Sequence, residues 1–168
     1  RSGIRSHINK LAEEKILYTL IKDFSEIDLS PEKVSNIKMG YVFEELVRKF
    51  SEANNAEAGE HYTPREVIDL MTHMVFEPIK DKIPSVITIY DPACGTGGML
   101  TESENFITDE EGEIKAVNTS VYLFGKEVND ETYAICKSDM MIKGKDPEHI
   151  KVGSTLSTDE FAGTKFDF

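Results

Sequence analysis

Residues 86–98 read Val-Ile-Thr-Ile-Tyr-Asp-Pro-Ala-Cys-Gly-Thr-Gly-Gly, and this stretch constrains the fold more than any other. Val86–Tyr90 is a short β-branched and aromatic run suited to a buried strand of a parallel sheet. The turn that follows carries Gly95, Gly97 and Gly98. Without side chains there, backbone amides can approach a ligand, and a helix opening near Gly97 turns the positive end of its dipole toward an anionic group. A second strand is predicted at Val121–Gly125, leading through Lys126-Glu127 into a helix from about Asn129 to Ile142 that Gly144 stops. His149–Val152 and Phe166–Phe168 read as strands three and four. Alternation of strand and helix predicts an α/β chain, the first half of a doubly wound parallel sheet. In such sheets ligands bind beyond the carboxyl ends of the strands, where both the glycine turn and Glu127 fall.

The part before the sheet reads as helical. Ile8, Leu11, Ile16, Leu17, Leu20, Ile21 and Phe24 recur near a 3.6 period, which predicts one helix from about His7 to Phe24. Ser30-Pro31 is a helix-start signal. Met39, Val42, Phe43, Leu46, Val47 and Phe50 form a second stripe expected to face a core. Ser51–Gly59 reads as a loop, and Thr63-Pro64-Arg65-Glu66 as a capping box with Pro64 at the first helical position. The helix it opens carries Val67, Ile68, Leu70, Met71, Met74 and Val75. The expected organisation is a helical segment over 1–58 and a ligand-binding sheet domain over 59–168. With no initiating Met and a last segment that reads as the start of a strand, the chain is expected to be part of a longer protein.

Charge and cysteine usage remove several classes. Nineteen basic against 31 acidic residues give a net charge of −12, a poor match to a surface that grips nucleic acid unaided. Cys94 and Cys136 form no CxxC pair, which excludes a disulfide scaffold and points to a reducing cytoplasm. No apolar run approaches the roughly 20 residues that cross a bilayer. The four histidines show no metal-ligand spacing, and no GxxxxGK[ST] run is present. Cys94, Tyr133 and Met140-Met141 are expected to be packed core residues, and Asp109-Glu110-Glu111 a solvated loop tip.

Glu127 stands at the end of the second strand, 36 residues after Asp91. A carboxylate there accepts hydrogen bonds from both hydroxyls of a ribose. The spacing exceeds the roughly 20 residues of a dinucleotide fingerprint, and the acidic loop Thr108–Asn118 accounts for the excess. Paired with the glycine turn, Glu127 suggests a nucleoside-bearing cofactor.

Two runs, Glu60-His61-Tyr62-Thr63-Pro64-Arg65 and Asp91-Pro92-Ala93-Cys94-Gly95-Thr96-Gly97-Gly98-Met99-Leu100, resemble motifs of the S-adenosylmethionine-dependent N6-adenine DNA methyltransferases. The resemblance is closest to the modification subunit of type I restriction–modification systems. Gly40–Leu46 and Arg48–Phe50 are similar to the helix that precedes the first motif in that family. The resemblance implies a Rossmann-like methyltransferase fold and methyl transfer from S-adenosylmethionine to adenine N6 in DNA. It implies that Glu60, His61, Tyr62, Thr63, Pro64 and Arg65 line the methionine end of the cofactor. Thr96, Gly97 and Gly98 would meet its carboxylate and sulfonium region, Asp91 its amino group and Glu127 its ribose. It also implies specificity and restriction subunits as partners, and DNA reached through the full-length protein.

Two departures bear on this. Where the family carries Gly-Asp-x-Leu after the third strand, this chain has Gly153-Ser154-Thr155-Leu156, so Ser154 would meet the adenine edge with a neutral hydroxyl. The family's catalytic Asn-Pro-Pro-Tyr/Phe motif is expected beyond Phe168, so the chain as it stands is expected not to methylate DNA. Two rival readings are a nicotinamide dehydrogenase, which lacks support in the missing GxGxxG, and a methyltransferase-fold module that acts in protein binding.

Overall fold

A computed structural model describes residues 2–53, 63–108, 114–116 and 118–168. Glu60, His61, Tyr62 and the Asp109–Glu111 tip lie outside the described residues. The chain divides into two compact units, Arg1–Ser35 and Asn36–Phe168. The division thus falls well before residue 58, and the helix that contains Tyr41 and Glu44 belongs to the sheet unit.

The first unit holds α1 (Ser2–Glu13) and α2 (Leu17–Ser25) rather than one helix. The apolar spacing jumps by five from Leu11 to Ile16, and the chain breaks there. Lys15 adopts φ +59°, its amide donates to Ala12 O at 3.1 Å, and the Ile16 amide donates to Leu11 O at 3.0 Å. That bond pattern is a Schellman stop with lysine in the position glycine usually takes. Ser30-Pro31 opens only a single turn, with the Lys33 and Val34 amides both on Ser30 O.

The second unit begins with α3 (Asn36–Ala53), which runs on into the predicted loop. Its stripe is rotated from the expected one: Val42 and Leu46 are exposed, and Gly40 is buried. In α4 (Arg65–Phe76) Pro64 is the residue before the helix, in extended conformation, and no side chain caps the end. The predicted capping box is therefore absent, because Thr63 lies one position too early. Ile68, Thr72 and Phe76 form the buried line at i, i+4 and i+8, while Val67, Leu70, Met71, Met74 and Val75 are exposed.

β1 (Val86–Asp91), β2 (Ser120–Glu127) and β3 (Ile150–Val152) form a parallel sheet in the order β1-β2-β3. The crossovers that parallel pairing demands contain α5 (Gly98–Thr108) and α6 (Asp130–Ile142). Alternate strand residues Ile87, Ile89, Leu123 and Ile150 share a core with Leu100, Ile107, Cys136, Met140 and Phe76. Asn129 caps α6 by accepting the Glu131 and Thr132 amides, and Gly144, at φ +74°, ends it with a second Schellman pattern. Met140 is fully buried and Tyr133 packs on the core, as expected, but Met141 is 65% exposed.

The opposite face of the sheet carries an aromatic cluster. The Tyr90 ring stacks on Phe166 at 4.8 Å and Phe124 on His149 at 4.2 Å, with Phe161 edge-on to Tyr90, Phe124 and Phe166. Phe166–Phe168 does not form a regular fourth strand. The Tyr90 amide donates to Phe168 O, but the Asp167 carboxylate takes the Thr88 amide at 2.8 Å, standing in for a backbone carbonyl. Among the described residues, no helix is long and apolar enough to cross a membrane.

Candidate functional site

A cleft of about 410 Å³ opens at the carboxyl ends of β1 and β2. Its floor is the loop between β1 and α5, and its walls come from α3, the start of α4 and the first turns of α5. Thr63, Arg65, Asp91, Thr96, Gly98 and Glu127, all singled out in the sequence, line it together. So do Glu44, Ile68, Met71, Cys94 and Glu102, which the sequence reading gave no site role. Glu102 was findable, since it follows Gly98 by one helical turn and so shares its face.

The loop is held by its own bonds. Asp91 Oδ1 accepts the Ala93 amide at 3.0 Å, the Cys94 amide donates to Lys126 O at 2.9 Å, and the Gly97 amide donates to Cys94 O at 2.8 Å. Glu127 Oε2 accepts the Gly95 amide at 3.0 Å, and Oε1 accepts the Asn129 amide at 2.8 Å. Several amides that the sequence offered to a ligand thus serve the loop itself. The helix-dipole contribution comes instead from the first turn of α5, whose amides have no intrahelical acceptor and where Gly98 and Met99 face the cleft.

The glycines play different parts. Gly97, at φ +89°, is turned away from the cleft: a Cβ there would lie 2.9 Å from both Cys136 Sγ and Met140 Cε. Cys94 and Cys136 are free thiols whose sulfurs lie 3.9 Å apart beneath the loop. The hydrogen bond with the Cys136 thiol, then burial, raise the Cys94 pKa, which suits a packed residue rather than a nucleophile.

Carboxylates dominate the lining. The Asp91 pKa is raised by burial and by the Glu127 charge, against the opposing bond from Ala93. Burial, then the charges of Glu44 and Asp69, raise that of Glu102. Among the described residues one cation lines the cleft, Arg65, whose Nη2 donates to Glu44 Oε2 at 3.0 Å. Ser154 is not among the residues that line the cleft. Its hydroxyl accepts the Leu156 amide at 3.3 Å, and Thr155 Oγ1 ties the same turn to Pro92 O.

The profile of the N-6 DNA methylase family matches residues 35–168, which takes in the whole of the sheet unit. The chain belongs to that family. It is 31% identical over 131 residues to the HindI type I restriction enzyme methylase subunit of Haemophilus influenzae, covering 77% of this chain and 27% of that protein. It is 34% identical over 148 residues to the MjaVIII methylase subunit of Methanocaldococcus jannaschii, covering 87% and 23% respectively. The solved type I restriction–modification methyltransferase subunit of Streptococcus thermophilus superposes with a TM-score of 0.67 at 26% identity, over 91% of this chain and 30% of that one. The chain therefore spans about a quarter of the length of its curated relatives. In this N-6 DNA methylase domain the parallel α/β fold is as the sequence predicted, with the cleft at the sheet end where ligands of such folds bind.

Proposed function

We propose that the chain forms the cofactor-binding part of an adenine-specific DNA methyltransferase subunit of a type I restriction–modification system, using S-adenosylmethionine to methylate adenine N6. One observation carries the reading. Asp91 and Glu127 end neighbouring parallel strands and flank the glycine loop in a single acid-lined cleft.

The donor set fits this cofactor, which has an ammonium, a sulfonium, a carboxylate and a diol. Asp91 would hold the ammonium and Glu127 the ribose diol. Arg65 and the first turn of α5, with Thr96 and Gly98, would hold the carboxylate, and Glu60, His61, Tyr62, Thr63 and Pro64 would complete the methionine end. The cofactor supplies a methyl group on a positively charged sulfur, and an acidic lining favours that charge. The chain's own net charge of −12 supports reliance on other segments and on specificity and restriction subunits for the grip on DNA. Calorimetric titration tests the reading. Saturable binding of S-adenosylmethionine and none of NAD is the expected result; NAD binding, or no binding of either, overturns it.

A further inference from the structure

The Arg65 cation in the cleft has an elaborate mount. The Arg65 guanidinium lies over the Tyr41 ring at 4.6 Å and bonds Glu44 on the same helix, α3. Glu44 Oε1 takes Lys143 Nζ at 2.7 Å, and Lys143 pairs with Asp139 at 2.6 Å, both of these side chains being 1% exposed. The Tyr41 hydroxyl donates to Glu102 at 3.3 Å and accepts from Asn105 at 3.1 Å. Gly40 makes the passage for the lysine stem: a Cβ there would stand 2.2 Å from Lys143 Cε, which two carboxylates hold in place. Three helices thus converge on the first residue of a fourth.

Stability does not account for this arrangement. The Arg65 side chain is 45% exposed, and an exposed ion pair adds little to folding. Its effect is directional: a ring below and a carboxylate beside fix where the guanidinium points. A planar fork gains most from such fixing when it meets another carboxylate.

We propose that Glu44 and Tyr41 are positioning residues that hold Arg65 for the carboxylate of the ligand in the cleft. The inference rests on the cofactor reading given above. S-adenosylmethionine and its decarboxylated analogue, which differ by that one group, separate the two ideas. Tyr41→Leu leaves the charge of the cleft unchanged and is expected to weaken S-adenosylmethionine about tenfold while leaving the decarboxylated analogue within about twofold. Glu44→Gln also removes a lining charge and is expected to weaken both, S-adenosylmethionine about tenfold more than the analogue. Tyr41→Phe keeps the ring and is expected to bind like the wild type, and Tyr41→Leu carries the test where Glu44→Gln does not fold. In an Arg65→Ala background, Tyr41→Leu is expected to cost no further affinity. Equal losses for both ligands, or additive losses in the double variant, overturn the positioning role and leave the cofactor reading intact. If the wild type binds neither ligand, both fall.

Discussion

Two hollows of nearly equal size, about 410 Å³ and about 400 Å³, lie at opposite ends of β2. At the amino end each lining carboxylate has a basic neighbour: Lys145 pairs with Glu104 at 2.6 Å, and His149 lies 3.7 Å from Asp146. At the carboxyl end, among the described residues, Glu44, Asp91, Glu102 and Glu127 face a single arginine. Volume therefore does not distinguish the two; the number of carboxylates per basic neighbour does. Like charges gathered in a half-buried space oppose folding, so an unbalanced lining marks the hollow that a cationic ligand completes. The same end holds the strand-terminal carboxylates because a parallel sheet points all its carboxyl ends one way.

The sharpest way to break this comparison is to remove one carboxylate from each hollow. Glu127→Ala takes away the acceptor of two backbone amides and the proposed ribose contact, and is expected to lower S-adenosylmethionine affinity about 100-fold. Glu104→Gln alters only the amino-end hollow and is expected to change affinity by less than about twofold. Calorimetric titration of both variants checks the pair, and equal effects would remove the distinction between the hollows.

A second contrast lies inside the glycine loop and is expected to show in stability. A Cβ at Gly95 meets nothing within 4 Å, whereas one at Gly97 collides with two α6 side chains, and both residues have positive φ. Gly95→Ala is expected to cost about 1 kcal/mol from backbone strain alone. Gly97→Ala adds overpacking and is expected to cost about 3 kcal/mol. Denaturant midpoints measure both, and equal costs would show that α6 yields to the loop.

These contrasts also mark what was legible in the sequence. The first three strands, the glycine loop and the placement of Asp91 and Glu127 at one sheet end were readable, because period, turn chemistry and strand direction are local signals. The helical region was read less well. A non-glycine Schellman stop at Lys15 leaves no composition signature, and a one-residue shift of Pro64 removes a capping box. Glu44 and the α6-facing role of Gly97 depend on which helices meet, and no local pattern encodes that. The same holds for Asp167, whose side chain replaces a strand carbonyl at the edge of β1.

The smallest effect concerns protons, and it sharpens the charge argument most directly. Burial, the Ala93 amide and Glu127 act on Asp91, with a net upward shift. Glu102 faces Tyr41, Glu44, Asp69 and Lys143, and it too titrates above the usual carboxylate range. A raised carboxylate favours folding below its unfolded pKa, and that contribution is lost as pH rises through the folded value. A bound cation reverses the preference, because it favours the ionised form. Binding is therefore expected to release protons, and affinity to fall as pH drops from neutral into the acidic range where these carboxylates take up protons. Titration in buffers of different ionisation enthalpy counts the protons directly. Glu102→Gln is expected to flatten the pH dependence without abolishing binding. Affinity that rises on acidification would mean that the ligand does not sense these carboxylates, and that the charge of the cleft serves something other than a cation.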